Sequence, residues 1–336
     1  MAYRILLAPE TQVSKMINDN SLSFIFNDSD NVKSYLIGIV DWRFYFKKSD
    51  KIKSLKIDPI GKSPSISTSS GNTTDNKNQV TITPEISMDG DNGDLDTWNS
   101  YIQFVCIANV DEVDSAQVSF GPTQQTVDCN TSPPTQYQSQ FTLDVDEYSA
   151  FWSGCNTSYG DHEQIQALDI YTLGKVDNNE LTITGQSQFK NSSEHSGTSQ
   201  AFANFLGVTA KDEAFLEIKQ VETSSGQTKL QTSDQIKVAF GEGITYAVPL
   251  ITALHADFKS NQHTLYKIGG GVNADSNDGY KPYFSFQDSV LSIDQGASAV
   301  INGNDNNQND DVSYVSLIAV GVNQPVETNQ PQEPTD

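Results

Sequence analysis

The chain has 336 residues, of which 36% are hydrophobic and 10% aromatic, and its formal net charge is −23. The aromatic content excludes a wholly disordered chain, because disordered segments are depleted in aromatic residues. The 43 acidic against 20 basic residues exclude nucleic acid as a partner for the surface as a whole, since phosphates are neutralised by clustered Lys and Arg.

The N-terminus, MAYRILLAPETQ, lacks the basic n-region and the longer apolar h-region of a secretory signal peptide. No apolar run approaches the roughly 20 residues of a membrane-spanning helix. The sequence therefore predicts cytoplasmic synthesis and no membrane span. A particle or an extracellular surface remains open as the final site.

The first segments along the chain have the pattern of β-strands. YRILLAP is a short apolar run stopped by Pro9, and SYLIGIVDWRFYF (34–46) is too β-branched and aromatic for a surface helix. In LSFIF, apolar residues alternate, which is typical of a strand buried on one face. The same alternation recurs twice, so the three triplets are Leu22, Phe24 and Phe26; Phe141, Leu143 and Val145; and Ile236, Val238 and Phe240.

A longer segment also recurs, at 79–110, 180–209 and 290–322. Each copy is an alternating strand, a polar loop and a second strand that opens on an aromatic residue. The sequence aligns Val80 with Leu181 and Leu291, Ile82 with Ile183 and Ile293, Tyr101 with Phe202 and Tyr314, and Phe104 with Phe205 and Leu317. This periodicity predicts three tandem modules, at 1–112, 113–210 (the divergent copy) and 211–323. The proline-rich end, 324–336, predicts a flexible tail.

Strand patterns separated by turn signals, with little helical periodicity, define the expected fold class. We expect an all-β protein of three antiparallel β-sandwich modules, immunoglobulin-like or jelly-roll-like, with long polar loops. The immunoglobulin Cys…Trp…Cys spacing does not occur in any module, so the pattern indicates no named family.

Basic residues are concentrated in the first module, in a chain that is acidic elsewhere. Seven of the 20 fall in one window: Arg43, Lys47, Lys48, Lys51, Lys53, Lys56 and Lys62. A positive end on a negative body favours head-to-tail or side-by-side contact between copies, so this window is a candidate assembly patch. The alternative is an ordinary solvated strand and loop.

The acidic string DGDNGDLD is the candidate metal site, with Asp89, Asp91, Asp94 and Asp96 as oxygen ligands. Calcium takes six to eight oxygens from such a loop. However, Gly93 stands where an EF-hand has a ligand, and no Glu closes the loop. The matching loops of the other modules are not similarly acidic, so the alternative is a solvated turn rich in Asp, Asn and Gly.

Motifs of catalysis are missing from the sequence. There is no GxSxG, HExxH or phosphate-binding glycine loop, and His255 is interpreted as a structural or surface histidine. We therefore predict no enzymatic activity and no cofactor other than calcium. Cys106, Cys129 and Cys155 form no CxxC pair, and a Cys129–Cys155 bridge is expected only if the protein is exported.

Two functional hypotheses follow. The first is a non-catalytic structural protein, a building block or decoration of a larger particle such as a virion, a shell, a filament or a surface layer. The second is a glycan-binding (lectin-like) or adhesin-type protein, calcium-assisted, in which Trp98, Trp152 and Tyr159 stack on sugar rings. Against the second stands the usual burial of aromatic residues at strand starts.

Overall fold

The computed structural model describes residues 3–8, 11–14, 21–27, 29–50, 52–67, 79–90, 95–110, 118–120, 125–128, 136–140, 147–158, 165–178, 180–190, 199–208, 215–221, 235–262, 265–272, 284–293, 298–303 and 313–325. Its named elements are all β-strands, and every pairing between them is antiparallel. The predicted all-β antiparallel fold is confirmed.

The strands are, in chain order, β1 (Tyr3–Leu7), β2 (Thr11–Gln12), β3 (Leu22–Ile25), β4 (Ser34–Asp50), β5 (Ile52–Ser67), β6 (Gln79–Gly90), β7 (Tyr101–Asn109), β8 (Val118–Phe120), β9 (Gln125–Asp128), β10 (Gln136–Gln140), β11 (Glu147–Ser158), β12 (Ile165–Asp177), β13 (Glu180–Lys190), β14 (Ser199–Val208), β15 (Leu216–Gln220), β16 (Ile236–Ala239), β17 (Tyr246–Gln262), β18 (Leu265–Gly271), β19 (Phe284–Gln287), β20 (Val290–Ile293), β21 (Ser298–Gly303) and β22 (Tyr314–Val322).

These strands form three large sheets and a small one. The first has the order β1-β7-β4-β18-β21, with β2 also on β7; the second is β3-β6-β5-β11-β14-β8, with β9 on β14. The third is β10-β13-β12-β17-β22-β15, and the small sheet is β16-β20-β19. Each large sheet therefore contains strands from two of the segments that the sequence delimits as modules.

Within the large sheets, three pairings join the segments, and they follow one another cyclically. β5 of the first segment pairs with β11 of the second, and β12 of the second pairs with β17 of the third. β18 of the third segment then returns to pair with β4 of the first. Each of these strands also pairs with a later strand of its own segment, β5 with β6, β12 with β13 and β18 with β21. We call these three pairs hairpins, although the connection of the third contains β19 and β20. Each hairpin extends the sheet of the following segment, and the third closes the ring.

A bulge occurs at the same register in the three long strands β4, β11 and β17. Pairing with the neighbouring central strand runs from Ser34 to Ile39, from Glu147 to Trp152 and from Tyr246 to Ile251, and then shifts by one residue. The extra residues are Val40, Ser153 and Thr252. Because a bulge is a specific feature of a strand pair, these registers provide an alignment that does not depend on side-chain similarity.

This register agrees with the sequence alignment in one strand and differs from it in another. Val80 lies opposite Phe24 and Leu291 opposite Val238, the middle residues of two of the apolar triplets, whereas Leu181 lies opposite Ser139. Val80, Leu181 and Leu291 are all fully buried, and the triplet of Phe141, Leu143 and Val145 lies outside the described residues. In the second strand, Gln200 rather than Phe202 occupies the place of Tyr101 and Tyr314. The sequence alignment matched aromatic residue with aromatic residue, and it is therefore wrong by two positions in this strand of the second segment.

The core lies where β4, β11 and β17 pack against one another. Gly38, Phe151 and Leu250 hold corresponding positions in these strands and meet there. The central strands β7, β14 and β22 are buried on both faces, as their almost unbroken burial patterns show. One hydrophobic cluster runs from Tyr3 to Val322, so residues of all three segments share it.

The start of the predicted tail is part of the folded body. Gln324 Oε1 accepts a hydrogen bond from the N–H of Ile5 at 2.8 Å, and the N–H of Gln324 donates to Thr245 Oγ1 at 2.7 Å. Residues 326–336 lie outside the described residues. The folded region therefore extends to Pro325, because a polar side chain and not an apolar anchor attaches this end.

Candidate functional site

Among the described residues, the most exposed large aromatic residue is Trp98, with 64% of its surface accessible to solvent. It lies on a turn that Asp96 caps: Oδ1 accepts hydrogen bonds from the N–H groups of Trp98 (3.2 Å) and Asn99 (3.3 Å). Oδ2 accepts a third bond from Asn99 Nδ2 at 2.7 Å. This is the usual role of Asp at a turn, and it keeps the Trp98 backbone in one conformation.

The same turn is attached to the sheet at both ends. The N–H of Ser14 donates to the Thr97 carbonyl and that of Val13 to the Ser100 carbonyl, both at 2.9 Å. Before the turn, Leu95 is buried and the N–H of Asp96 donates to Tyr45 O at 2.6 Å. We call residues 95–100 the Trp98 turn. It presents a large apolar ring on a backbone that is already ordered.

An exposed ring on an ordered turn is suited to binding. Tyr and Trp supply much contact area for few rotatable bonds, so little conformational entropy is lost when they bind. The neighbours of Trp98 in the turn are polar, namely Thr97, Asn99 and Asp96. An amphipathic ligand, such as a sugar ring, could contact the indole with its C–H face and the amide with its hydroxyls.

The other two predicted ligand-binding aromatics do not join Trp98. Trp152 is fully buried, and its ring lies 5.9 Å from that of Trp42 in the core. This placement corrects the prediction for Trp152, since neither face of a buried indole is open to a ligand. It belongs to the packed interior, as burial preferences suggest for aromatic residues. Tyr159 lies outside the described residues.

The acidic string is divided between a strand and the Trp98 turn. Asp89, in β6, accepts a hydrogen bond from Ser54 Oγ at 3.0 Å, and both oxygens of Asp96 are used within the turn. Asp91 and Asp94 lie outside the described residues. Within the part of the chain that the structure describes, no group of three or more His, Cys, Asp or Glu is placed to hold a metal ion. Calcium binding remains a prediction.

The basic window does not form one exposed patch. Arg43 is only 2% exposed, and its Cζ lies 4.9 Å from the centroid of the Tyr101 ring. The prediction that Arg43 contributes surface charge is therefore wrong, because its side chain is buried. Lys56 is partly buried and pairs with Glu85, and Lys53 is exposed. Lys47 and Lys48 lie in β4 and Lys62 in β5, in parts of these strands where only the backbone is described. Lys51 lies outside the described residues.

The matched registers place three different polar pairs at one corresponding position. In the first segment Arg43 lies opposite Tyr101, and in the second Asn156 lies opposite Gln200, with Asn156 Nδ2 donating to Gln200 Oε1 at 3.1 Å. In the third, His255 lies opposite Tyr314, and the two rings stack with centroids 5.4 Å apart. The position keeps a polar or cationic group but changes its chemistry.

His255 has a second partner from another segment. Its Nδ1 is hydrogen bonded to Asp169 Oδ1, on β12, so the pair spans the junction between β12 and β17. The two side chains are 18% and 14% exposed. Sequence alone offers no signal for this pair, because 86 positions separate the partners and only the register of the two strands brings them together.

The two described cysteines are buried free thiols. Cys106 and Cys155 are both free, and Cys129 lies outside the described residues. The Cys129–Cys155 bridge was expected only for an exported protein and is not formed by Cys155 here. Burial raises the pKa of Cys155 to about 12, although hydrogen bonds from Ser187, Ile57 and Thr157 act in the opposite direction. Burial also raises the pKa of Cys106 well above its usual range. Both thiols are therefore uncharged and unreactive at neutral pH.

Fold and geometry define the class as an antiparallel all-β protein with strands exchanged between segments. Comparison with protein-family models, curated proteins and solved structures finds no match for this chain. Among the described residues, no helix is long and apolar enough to cross a membrane.

Proposed function

We propose that this chain is a non-catalytic structural protein, a modular β building block or decoration of a larger particle, shell, filament or surface layer. The observation that carries the proposal is the cyclic exchange of hairpins between the three segments, by which each of the large sheets is built. Because no large sheet is complete without strands from another segment, the three modules proposed from the sequence would move as one rigid body. Rigid subunits with several distinct faces are suited to repeated contacts in an assembly.

The uneven distribution of charge along the chain supports self-association in particular. The overall charge of −23 opposes contact between copies except where a local positive surface meets an acidic one. With Arg43 buried, exposed Lys53 is the described residue of the window best able to provide that surface. The window is accordingly a smaller patch than the sequence alone suggests.

The test is size-exclusion chromatography with electron microscopy over a range of protein and salt concentrations. We expect concentration-dependent oligomers that weaken at high salt, because exposed charge contacts are screened. Lys53→Glu should reduce association, whereas Lys175→Glu should not, since Lys175 is a similarly exposed lysine of the second segment. A monodisperse monomer at every concentration and salt would refute the proposal.

A second candidate function is glycan binding through the Trp98 turn. It is favoured by one observation, the 64% exposure of an indole on a turn fixed by hydrogen bonds. The ring is bordered by polar groups, which suits a saccharide better than a wholly apolar partner. This candidate does not conflict with an assembly role, because adhesins and surface proteins combine the two.

A glycan array, with and without a chelator, tests this second candidate. Trp98→Ala should abolish any signal, because the stacking surface is lost. Leu173→Ala is the matched control, since Leu173 is 62% exposed but lies on β12 in the second segment. Loss of signal with the chelator would add support for calcium at the acidic string, and a silent array in both arms rejects glycan binding.

A further inference from the structure

The pairing that closes the ring differs from the other two junctions in its residues. Here β18 places Gly269, Gly270 and Gly271 opposite Arg43, Trp42 and Asp41 of β4. At the other junctions the corresponding residues carry side chains, with Ile57 opposite Cys155 and Ile170 opposite Leu254. Glycine-rich strands specify their pairing weakly and are prone to alternative pairings and to swapping between chains.

The glycines permit a close approach that other residues could not make. A Cβ on Gly269 would lie 2.3 Å from the carbonyl oxygen of Trp42, and one on Gly271 would lie 2.4 Å from that of Val40. Gly271 also has a φ of +130°, which L-residues rarely adopt. The junction is thus shaped for this one hairpin, but by backbone fit more than by interlocking side chains.

Of the three junctions, the closing one joins the parts of the chain that are farthest apart in sequence. It pairs residues 41–45 with 267–271, whereas the others pair 54–57 with 155–158 and 167–171 with 253–257. Closing a longer loop costs more chain entropy, so this junction gains least from being made within one chain.

A short connection leads into the hairpin, since β17 ends at Gln262 and β18 begins at Leu265. Short hinges between exchangeable elements favour swapping.

The surfaces that meet at this junction would not remain uncovered. Ile268 and Phe44 lie opposite each other and are fully buried, and the Lys267 ammonium is buried over the Tyr45 ring at 5.7 Å. If the hairpin left β4, an apolar strand edge would be exposed, and such edges pair with another strand of suitable sequence. The hairpin of a second copy has the required residues by definition.

We infer that the hairpin of β18 and β21 from one copy can occupy β4 of a second copy, so that rings open and join head to tail into oligomers of this chain. The inference rests on the proposed self-association and names the strands that carry it. It predicts an interface between copies that is identical, residue by residue, to the closing junction within one copy.

A disulfide trap tests this inference on the full chain. Tyr45→Cys with Lys267→Cys places two thiols on register partners of the closing junction, at a separation that antiparallel pairs and disulfides share. Lys56→Cys with Asn156→Cys is the matched pair at the junction of β5 and β11. Both carry Cys129→Ser, so that the remaining native thiols are the buried Cys106 and Cys155.

The readout is a non-reducing denaturing gel of the monomer and oligomer fractions after concentration and oxidation. In the monomer fraction, both pairs should link within one chain of 36.8 kDa, which verifies that the disulfides form. In the oligomer fraction, the closing pair should give a ladder of chain multiples, while the control pair stays within one chain.

Two results would overturn the inference and leave the proposed function standing. One is an oligomer fraction whose closing pair links only within single chains, which means that copies associate through other surfaces. The other is a ladder for the control pair alone, which assigns the exchange to a different junction. If no oligomer forms at any concentration, the proposed function fails together with the inference.

Discussion

Gly38 of β4 and Phe151 of β11 hold corresponding registers in their strands and meet in the core, where the absent side chain of one admits the ring of the other. A Cβ on Gly38 would lie 3.2 Å from Phe151 Cε2 and 2.6 Å from Leu250 Cδ2. Gly38, Phe151 and Leu250 thus border one volume, which the side chains of Phe151 and Leu250 fill and to which Gly38 contributes none. A residue with a side chain at each of them would overfill it.

Substitution of Gly38 by Ala tests this shared volume. We expect Gly38→Ala to lower the free energy of unfolding by about 1–3 kcal/mol through overpacking. This loss exceeds the about 0.4–1 kcal/mol that Gly→Ala gains by restricting the unfolded chain. Urea unfolding gives the value. Combined with Leu250→Ala, the substitution should cost less than the sum of the two single changes, and strict additivity would contradict the contact.

Gly269→Ala tests the closing junction. Its Cβ would meet backbone atoms, 2.3 Å from Trp42 O and 2.8 Å from Arg43 Cα, and backbone cannot move aside as a side chain can. We expect a loss at or above the upper end of the about 1–3 kcal/mol typical of overpacking. Hydrogen exchange should accelerate in β18 and β4 first. Ser285→Ala, at an exposed position of β19, is the control and should change neither measurement.

The ion pair between Arg4 and Asp30 should stabilise the N-terminal strand. Arg4 donates to both oxygens of Asp30, from Nε at 3.1 Å and from Nη2 at 2.9 Å, and the side chains are only 11% and 5% exposed. Arg4→Ala leaves a buried carboxylate without this partner, so we expect a loss of roughly 3 kcal/mol in denaturant unfolding.

A matched control for that pair lies on the surface. Lys175 and Asp177 are 3.7 Å apart and 69% and 67% exposed, so Lys175→Ala should change stability by no more than about 0.5 kcal/mol. Arg4→Lys should fall between the two, because an ammonium keeps the charge but loses the bidentate geometry. Equal losses for Arg4→Ala and Lys175→Ala would show that burial of the first pair has no effect.

The His255–Asp169 pair should couple β12 to β17 energetically. Asp169→Asn removes the carboxylate charge and His255→Phe removes the imidazole nitrogens, while Phe retains a ring to stack on Tyr314. A double-mutant cycle should give an interaction free energy of about 0.5–1.5 kcal/mol, as expected for partly buried partners in contact. The same cycle with Asp169→Asn and the distant Lys53→Ala should give none. A zero value for the first cycle would show that the pair contributes nothing across this junction.

Alkaline pH should destabilise the protein through its buried thiols. The pKa of Cys155 is raised by burial from 9.0 to about 12, so between these values the unfolded chain loses a proton that the folded protein retains. The stabilisation is complete below pH 9 and falls by about 1.4 kcal/mol per pH unit as the pH rises toward 12. Tyr246, with a pKa raised by burial to about 12, adds to the loss above pH 10.

Urea unfolding between pH 8 and 11 measures this loss. Cys155→Ala should show a smaller decline across that range, whatever its stability at pH 8. The thiols should also fail to react with a disulfide reagent at pH 8 until the protein unfolds. Identical pH slopes for the parent and the variant would exclude Cys155 as the cause.

The local features of this protein were readable from its sequence. Alternation of apolar residues at Val80 and Ile82, and in LSFIF, identified strands whose apolar side is buried, because a pleated strand directs successive side chains to opposite faces. Trp98 was a candidate ligand-binding residue in a polar loop, set against the usual burial of aromatic residues, and the structure shows it exposed. These inferences depend only on residues that are close together in the chain, so the sequence is sufficient to make them.

The partners of the strands were decided only by the tertiary structure. Nothing in the pattern of a hairpin says whether it extends its own sheet or that of the next segment, since both choices bury the same apolar face. The burial of Arg43 and Trp152 and the contact of His255 with Asp169 depend on that choice. Sequence thus determined which residues form strands, and long-range register determined which of their side chains are buried, paired or exposed.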